Sequence, residues 1–266
     1  MRPLKTIHDL SRSETDTLIV GMSGIGKSWL VNQLAEQAPW NVVSIDDQIQ
    51  SMCLTSACNK AAPDRPATHK LPTSQPVDSH HVQSETSLEA LTKWLGMPGN
   101  PELGGLNFAE FQRRRRIHMA AEKLSLEVLI QQKRKKTPLL IDASGSFCDV
   151  VSESDTLFAD LKARFCIVSL RESDAFIQIL IKRQQDSPKP ICYPSEFIAN
   201  YWHAYLREHK ISEREVSPKD FAASAYANLI PLRRTKYAEI AEQSDACIDA
   251  EEFQTERFAK DRHTRS

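Results

Sequence analysis

A run of glycines that ends in lysine and serine has the spacing that phosphate binding requires. It fits the pattern G-x-x-x-x-G-K-S. Glycines let the backbone take positive φ and approach an anion closely, so the N–H groups of this loop are expected to point inward around phosphates. The lysine then reaches the β- and γ-phosphates of ATP, and the serine hydroxyl ligates Mg²⁺. The predicted nucleotide-binding residues are Gly21, Ser23, Gly24, Ile25, Gly26, Lys27, Ser28 and Trp29.

The segments on either side of this loop support the same interpretation. An apolar strand that begins at Thr17 precedes the loop, and a helix with Leu30 and Leu34 on one face follows it before Pro39. The start of that helix adds its positive dipole end to the predicted anion site. A plain glycine turn between a strand and a helix is the alternative, and the order of strand, loop and amphipathic helix favours phosphate binding over it.

Aspartates follow two further predicted strands. Asp46 and Asp47 come directly after a short apolar strand at residues 42–45, which we expect to be buried, and Asp142 ends a later apolar run. Ligands of open parallel sheets lie at the carboxyl ends of the strands. Asp46 is therefore expected to orient an acceptor hydroxyl, accept its proton or hold Mg²⁺ through water, and Asp142 to bind the Mg²⁺ hydration shell. The alternative for the Asp pair is that it caps the helix that follows.

Two loops supply further candidates. Arg183 lies at the end of a predicted helix, 173–185, ahead of a loop punctuated by Pro188 and Pro190. Such a loop closes over phosphates and brings an arginine to the developing charge, although a basic helix end before a surface loop has the same sequence. Gly145 lies between two serines in a turn whose N–H groups and hydroxyls would clamp an acceptor, unless it is a plain turn.

Strand signals near residues 17, 42, 138, 165 and 246, joined by helices, predict an α/β fold with a five-stranded parallel sheet in one domain spanning 1–266. The chain is 41% hydrophobic and 26% charged with a formal net charge of -1, which favours neither nucleic acid nor membrane as a partner. No apolar run reaches the ~18 residues of a membrane span, so a cytoplasmic location is expected. The 6 cysteines are scattered, which favours buried, reduced thiols.

Several segments carry signals of their own. Residues 55–86 are rich in Pro, Ser, Thr and His and are expected to form a disordered insertion, because they have too few apolar side chains to offset the entropy of ordering. Residues 87–133 are expected to be a helical insertion on the acceptor side, and its four consecutive arginines cannot all face one way. The aromatic residues of the helix 195–209 are expected to pack in a core. The last long helix is expected to continue past Pro231 with a break there, and the tail 251–266 to fray.

Three stretches and the glycine loop together carry a family resemblance. Asp46 lies where an Asp-x-Asp element has its acceptor-binding aspartate, Arg183 precedes a proline as in a lid, and Arg233 has the matching spacing to Tyr237. These stretches resemble the nucleoside-monophosphate-kinase and shikimate-kinase group of small-molecule kinases. The resemblance implies a P-loop NTPase fold with lid and acceptor-binding insertions.

The resemblance also implies an activity and a set of roles. The activity is transfer of the γ-phosphoryl group of ATP, with Mg²⁺, to a small polar and anionic metabolite. Lys27 and Arg183 would neutralise the transferred group, Asp46 would orient the acceptor, and Gly145 and Arg233 would bind it. The predicted metal ligands are Ser28 and Asp142.

The chain also departs from this group. Ser44 occupies the position where a Mg²⁺-associated aspartate is usual, and Ser144-Gly145-Ser146 replaces the triple glycine that grips shikimate. The turn that starts at Asp142 looks instead like the Asp-Thr-Thr-Gly-Ser turn of shikimate-kinase-like proteins. Two alternatives stay open: an ATP-binding regulatory protein without acceptor chemistry, which the missing carboxylate at Ser44 favours, and a nucleoside or nucleotide kinase.

Overall fold

In the computed structural model, five parallel strands form one sheet in the order β2-β3-β1-β4-β5. The structure describes residue 10 and residues 15–58, 87–134, 136–152 and 155–251. The strands are β1 (Thr17–Val20), β2 (Asn41–Ser44), β3 (Leu139–Asp142), β4 (Cys166–Arg171) and β5 (Ala246–Asp249). Helices flank the sheet, so the predicted α/β fold with a five-stranded parallel sheet is confirmed.

Several of the helices begin after a residue whose side chain caps them. The Ser217 hydroxyl accepts a hydrogen bond from the Asp220 N–H at 3.4 Å, and Asn107 caps the helix that begins at Phe108 by accepting from the Glu110 N–H at 2.9 Å. The helices are α1 (Lys27–Gln37), α2 (Ile45–Cys58), α3 (Ser87–Leu95), α4 (Phe108–Gln131), α5 (Phe147–Val150), α6 (Thr156–Arg164), α7 (Asp174–Asp186), α8 (Ser195–His209) and α9 (Pro218–Glu242).

Strand position in the sheet decides which strands are buried. Successive residues of β1 are all buried, as expected of a central strand covered on both faces. The prediction of a buried strand at residues 42–45 is wrong. In the described sheet β2 is flanked by β3 alone, so Val42 is 41% exposed, and Ile45 already belongs to α2.

The last long helix continues past Pro231, as predicted, but the expected break is wrong, because α9 is uninterrupted there. A proline inside a helix removes the N–H that would bond to the carbonyl four residues earlier. The helix continues because buried side chains hold it on both sides of the proline. Leu229 packs into one hydrophobic cluster, and Ile230 and Tyr237 pack into the other.

The structure therefore has two hydrophobic clusters. The larger one surrounds the sheet, and the smaller one lies between α3, α4, α8 and α9. Trp202 and Tyr205 of α8 are buried in the smaller cluster, where Phe108 stacks on Trp202 with ring centroids 4.6 Å apart. The prediction that the aromatic residues of this helix serve core packing is confirmed.

The boundaries of the predicted insertions are only partly described. Residues 55–58 are helical as the end of α2, and the remainder of the predicted disordered insertion, 59–86, lies outside the described residues, as does 252–266 of the predicted tail. The segment 87–131 is helical for the most part, as predicted, through α3, a short 3-10 helix (Pro101–Leu103) and α4.

The described part of the chain contains no helix that is long and apolar enough to cross a membrane. The cysteines that the structure describes are all free thiols, and most of them are buried, as the sequence predicts: Cys53, Cys148, Cys166, Cys192 and Cys247. Burial raises the pKa of each of these thiols, to about 12 for Cys53, so they are poor nucleophiles.

Candidate functional site

The glycine loop, residues 21–26, joins the central strand β1 to the start of α1. Gly24 has φ 82° and Gly26 has φ 107°, which L side chains rarely adopt, so these positions require glycine. Gly26 is the residue that precedes α1, and Ser23, Gly24 and Ser28 are exposed. The loop therefore presents backbone at a helix N-terminus to solvent, which is the arrangement that suits an anion.

Lys27 folds back over this loop. Its side chain is buried, with the residue 7% exposed, and Nζ donates to the carbonyls of Gly21 at 2.8 Å and Met22 at 3.1 Å. Burial lowers the pKa of Lys27, and the carboxylates of Asp142 and Asp46 oppose that shift. Lys27 therefore lies close enough to Asp46 and Asp142 for their charges to interact.

Asp142 ends β3 next to the glycine loop. In the sheet register it lies beside Ile19 of β1 and Ser44 of β2. The Ser28 hydroxyl hydrogen-bonds to its carboxylate, and burial raises the pKa of Asp142. Its Oδ1 atom is buried and finds no hydrogen-bond partner among the described residues.

An unpaired carboxylate oxygen beside a serine hydroxyl fits Mg²⁺. This ion takes one or two carboxylates and completes its octahedron with water and phosphate oxygens. The described residues hold no group of three His, Cys, Asp or Glu side chains that could bind a metal by themselves. Ser28 and Asp142 would therefore be the protein ligands, as the sequence predicts.

Asp46 lies in the first turn of α2, partly buried, at the same edge of the sheet. The helix is capped by Ser44, whose Oγ accepts from the Asp47 N–H at 3.2 Å. Burial raises the pKa of Asp46 to about 6, while Lys27 lowers it. The alternative that the Asp pair itself caps α2 is wrong, because the serine before it does so.

The turn at residues 143–146 lies directly against the glycine loop. A Cβ added to Gly145 would lie 2.6 Å from the Cβ of Ser23 and 3.0 Å from its backbone N, so only glycine allows this approach. The Tyr237 hydroxyl donates to the Gly145 carbonyl at 3.2 Å. Gly145 thus allows the turn to lie against the glycine loop, and its contact with an acceptor stays a prediction.

Glu122 of α4 is a site residue that sequence reasoning missed. It is fully buried, and its carboxylate accepts hydrogen bonds from the hydroxyls of Ser144 and Ser146, the latter at 2.6 Å. Burial raises the pKa of Glu122 to about 7, and the two serine hydroxyls oppose the shift. His118 lies one helical turn away, with Nδ1 3.9 Å from Glu122 Oε2, and burial lowers the pKa of His118 to about 4.

The sequence does contain a signal for these residues. The buried positions of α4 recur at helical spacing, and polar residues occupy several of them. Charged residues at core-facing positions need partners, so they indicate a buried polar network. The buried polar residues of α4 are Arg115, His118, Glu122 and Ser125.

Arg233 lies in the middle of α9 and is buried. Its guanidinium donates to Asp149 Oδ2 at 2.6 and 3.1 Å and to the Cys192 carbonyl at 2.6 Å, while Lys236 Nζ contacts the other Asp149 oxygen at 3.3 Å. Burial alone lowers the pKa of Arg233, but Asp149 and neighbouring groups reverse that shift and raise it. Arg233 also acts electrostatically on Lys27, so it belongs to the same region. Arg233 is therefore not a solvated surface charge.

The remaining arginines have separate surroundings. Arg183 is exposed in the last turn of α7, where its carbonyl accepts from the Ser187 N–H at 2.9 Å. Of the four consecutive arginines, Arg113 and Arg114 bind Glu110, as i,i+3 and i,i+4 partners. Arg115 is buried and donates to Ser195 Oγ at 2.9 Å. As predicted, the four do not share one face.

The structure thus brings most of the predicted site residues to one edge of the sheet: the glycine loop, Lys27, Ser28, Asp46, Asp142, Gly145 and Arg233. Arg183 is exposed in the last turn of α7. Comparison with known proteins finds no matching family model, no matching curated protein and no matching solved structure.

Proposed function

We propose that the protein is an ATP- and Mg²⁺-dependent phosphotransferase that moves the γ-phosphoryl group to a small polar metabolite. The observation that carries the proposal is that Asp142 Oδ1 has no hydrogen-bond partner among the described residues. The Asp142 carboxylate interacts electrostatically with Lys27 and is hydrogen-bonded to the Ser28 hydroxyl. A buried carboxylate oxygen without a partner costs free energy, and a bound cation would remove that cost. The exposed backbone of the glycine loop lies at the same place and suits phosphates.

The charges of the site match the needs of phosphoryl transfer. The acceptor hydroxyl attacks the γ-phosphorus, a new O–P bond forms, and the bond to the β–γ bridging oxygen breaks to release ADP. The hydroxyl proton passes to Asp46, whose pKa of about 6 leaves it ionised at neutral pH. Lys27 leaves its loop carbonyls to meet the phosphates, and Arg183 would meet the charge that develops on the transferred group. Mg²⁺, when bound, neutralises charge on the phosphate oxygens.

An anionic acceptor is favoured by the charges around Asp149. Two cations, Arg233 and Lys236, face this single carboxylate, so one positive charge is left over. That surplus charge would attract a carboxylate or phosphate of the acceptor. In this proposal Arg233 therefore attracts the acceptor without giving up its own ion pair.

The experiment combines ATP titration calorimetry, with and without Mg²⁺, and ADP release across a panel of hydroxylated acids and nucleosides. Lys27→Ala is expected to lower turnover by on the order of 100-fold or more with an unchanged circular dichroism spectrum. Asp142→Asn is expected to abolish the effect of Mg²⁺ on ATP affinity. The matched control is Lys123→Ala, which removes an exposed lysine of α4. Wild-type turnover in Lys27→Ala contradicts the proposal.

A second candidate is an ATP-binding regulatory protein without acceptor chemistry. The observation that favours it is Ser44, which caps α2 and supplies no carboxylate to the metal side of the site. In that case the wild-type protein binds ATP tightly and releases no ADP with any compound of the panel. Release of ADP with nucleosides alone would instead identify a nucleoside or nucleotide kinase.

A further inference from the structure

Glu122 connects helix α4 to the turn that lies beside the candidate nucleotide site. One carboxylate oxygen accepts from the Ser144 hydroxyl, and the other accepts from the Ser146 hydroxyl at 2.6 Å. Ser144 Oγ in turn accepts from the Ser146 backbone N–H at 3.1 Å. The carboxylate therefore fixes both serines and the backbone between them.

That backbone leaves no room for movement toward the glycine loop. Gly145, between the two serines, already lies so close to Ser23 that a single added methyl group would clash with backbone. Asp142 precedes Ser144 by two residues, at the end of β3. A shift of the turn would therefore displace the glycine loop, the Asp142 carboxylate or both.

The chemistry of Glu122 argues against a role in stability alone. It is fully buried, and His118 Nδ1 lies 3.9 Å from its Oε2 atom. Burial lowers the pKa of His118 to about 4, so the imidazole is neutral at pH 7 and forms no ion pair. A buried carboxyl group without an ion pair costs free energy relative to a well-packed apolar side chain. Glu122 instead fixes the orientation of the turn, because its two oxygens accept from the Ser144 and Ser146 hydroxyls at once.

We propose that Glu122 is a positioning residue that, by holding Ser144 and Ser146, keeps the 143–146 turn against the glycine loop and sets the loop and Asp142 for Mg·ATP. This inference rests on the proposed function. It predicts that Glu122 acts through geometry and that its charge is dispensable.

Two substitutions separate geometry from charge. Glu122→Ala removes both hydrogen bonds and frees the turn. In Glu122→Gln the amide oxygen accepts from one serine and the amide N–H donates to the other, so the turn stays held without the charge. A group that acted by its charge would lose its effect in both variants.

The test measures Mg·ATP affinity by titration calorimetry in the wild type and in each variant. Glu122→Ala is expected to weaken binding by about 10–100-fold, the usual effect of removing a partner that orients a ligand-binding group. Glu122→Gln is expected to recover most of that loss, and the acceptor Michaelis constant is expected to change little in either variant. The matched control is Ser125→Ala, which removes a buried hydroxyl of α4 that donates to the Ala121 carbonyl of the same helix.

A second measurement needs no nucleotide. Hydrogen exchange of the free protein is expected to be faster at residues 21–28 and 142–146 in Glu122→Ala than in Ser125→Ala. If the wild type binds no ATP but this exchange rises, the proposed function fails and the coupling of the two loops stands. If the wild type binds ATP and Glu122→Ala binds it equally well, the inference is overturned.

Ser146→Ala keeps the test decisive if Glu122→Ala does not fold. It removes one of the two hydrogen bonds to the carboxylate, so an intermediate loss of Mg·ATP affinity is expected. Unchanged affinity in Ser146→Ala, or an equal loss in Ser125→Ala and Ser146→Ala, overturns the inference.

Discussion

Replacing Arg233 by alanine is expected to destabilise the protein strongly, because its ion pair with Asp149 is buried. The Arg233 side chain is 3% exposed and that of Asp149 is 0% exposed, with Nη2 2.6 Å from Oδ2. The substitution leaves the carboxylate buried with one fewer cation. It also frees the Cys192 carbonyl, which accepts from the same nitrogen at 2.6 Å.

The expected magnitude follows from these contacts. Removal of one partner of a buried ion pair costs about 3–5 kcal/mol. Lys236 remains 3.3 Å from the other Asp149 oxygen, so the low end of that range, about 3 kcal/mol, is expected. With about 2–4 °C of melting temperature per kcal/mol for large domains, the melting temperature should fall by roughly 6–12 °C.

Urea denaturation of a double-mutant cycle is the assay. Arg233→Met combined with Asp149→Leu is expected to cost less than the sum of the two single substitutions, by at least about 1 kcal/mol, since neither charge is then left buried alone. Arg234→Ala is the control, because this neighbouring arginine is 46% exposed and pairs mainly with the exposed Asp174, while its Nε lies 3.9 Å from Glu172 Oε1. A surface pair of this kind contributes about 0–1 kcal/mol. The reasoning is refuted if Arg233→Ala costs no more than Arg234→Ala.

Three further predictions concern pH and the exposed arginine. Because the pKa of Asp46 is about 6, the rate of the proposed phosphoryl transfer should fall as the pH drops through that value. Asp46→Asn should be slow at every pH and should lack this dependence on pH. A decline in the wild-type rate centred near pH 4 would contradict the assignment of Asp46 as the proton acceptor. The pKa of Glu122 is raised from 4.5 to about 7, so folding favours its protonated form and its contribution to stability is lost as the pH rises. The free energy of unfolding of the wild type, measured relative to that of Glu122→Gln, should fall by on the order of 3 kcal/mol between about pH 4 and pH 8. If the difference between the two proteins does not change with pH, the carboxyl group is not buried in this way. Arg183→Ala should lower turnover far more than it weakens ATP binding, as measured by steady-state kinetics and calorimetry, whereas equal losses in both would remove the assignment of this arginine to the transition state.

Much of the fold was predictable from local signals in the sequence. The glycine loop, the five strands and most helices follow from glycine spacing, apolar runs and caps, all of which act within a few residues. The carboxyl-end rule for parallel sheets also predicted that Asp46, Asp142 and the loop would share one edge, and their electrostatic interactions confirm it.

Tertiary packing decided the features that sequence reasoning missed or misjudged. The strand order made β2 an edge strand, and packing against two hydrophobic clusters kept α9 continuous through Pro231. Both outcomes depend on neighbours that no local pattern names. A strand looks the same in sequence at the centre or at the edge, since its hydrogen-bonded partners come from elsewhere in the chain.

The buried polar contacts were the least accessible to sequence. Ser144 and Glu122 are 22 positions apart, and Arg233 and Asp149 are 84 apart. The sequence determined which groups the chain carries and which local elements hold them. Only the packing of α4 and α9 on the turns beside the sheet decided which charges meet, because a side chain in a helix gains or loses its partner with a small change in how that helix is rotated and placed.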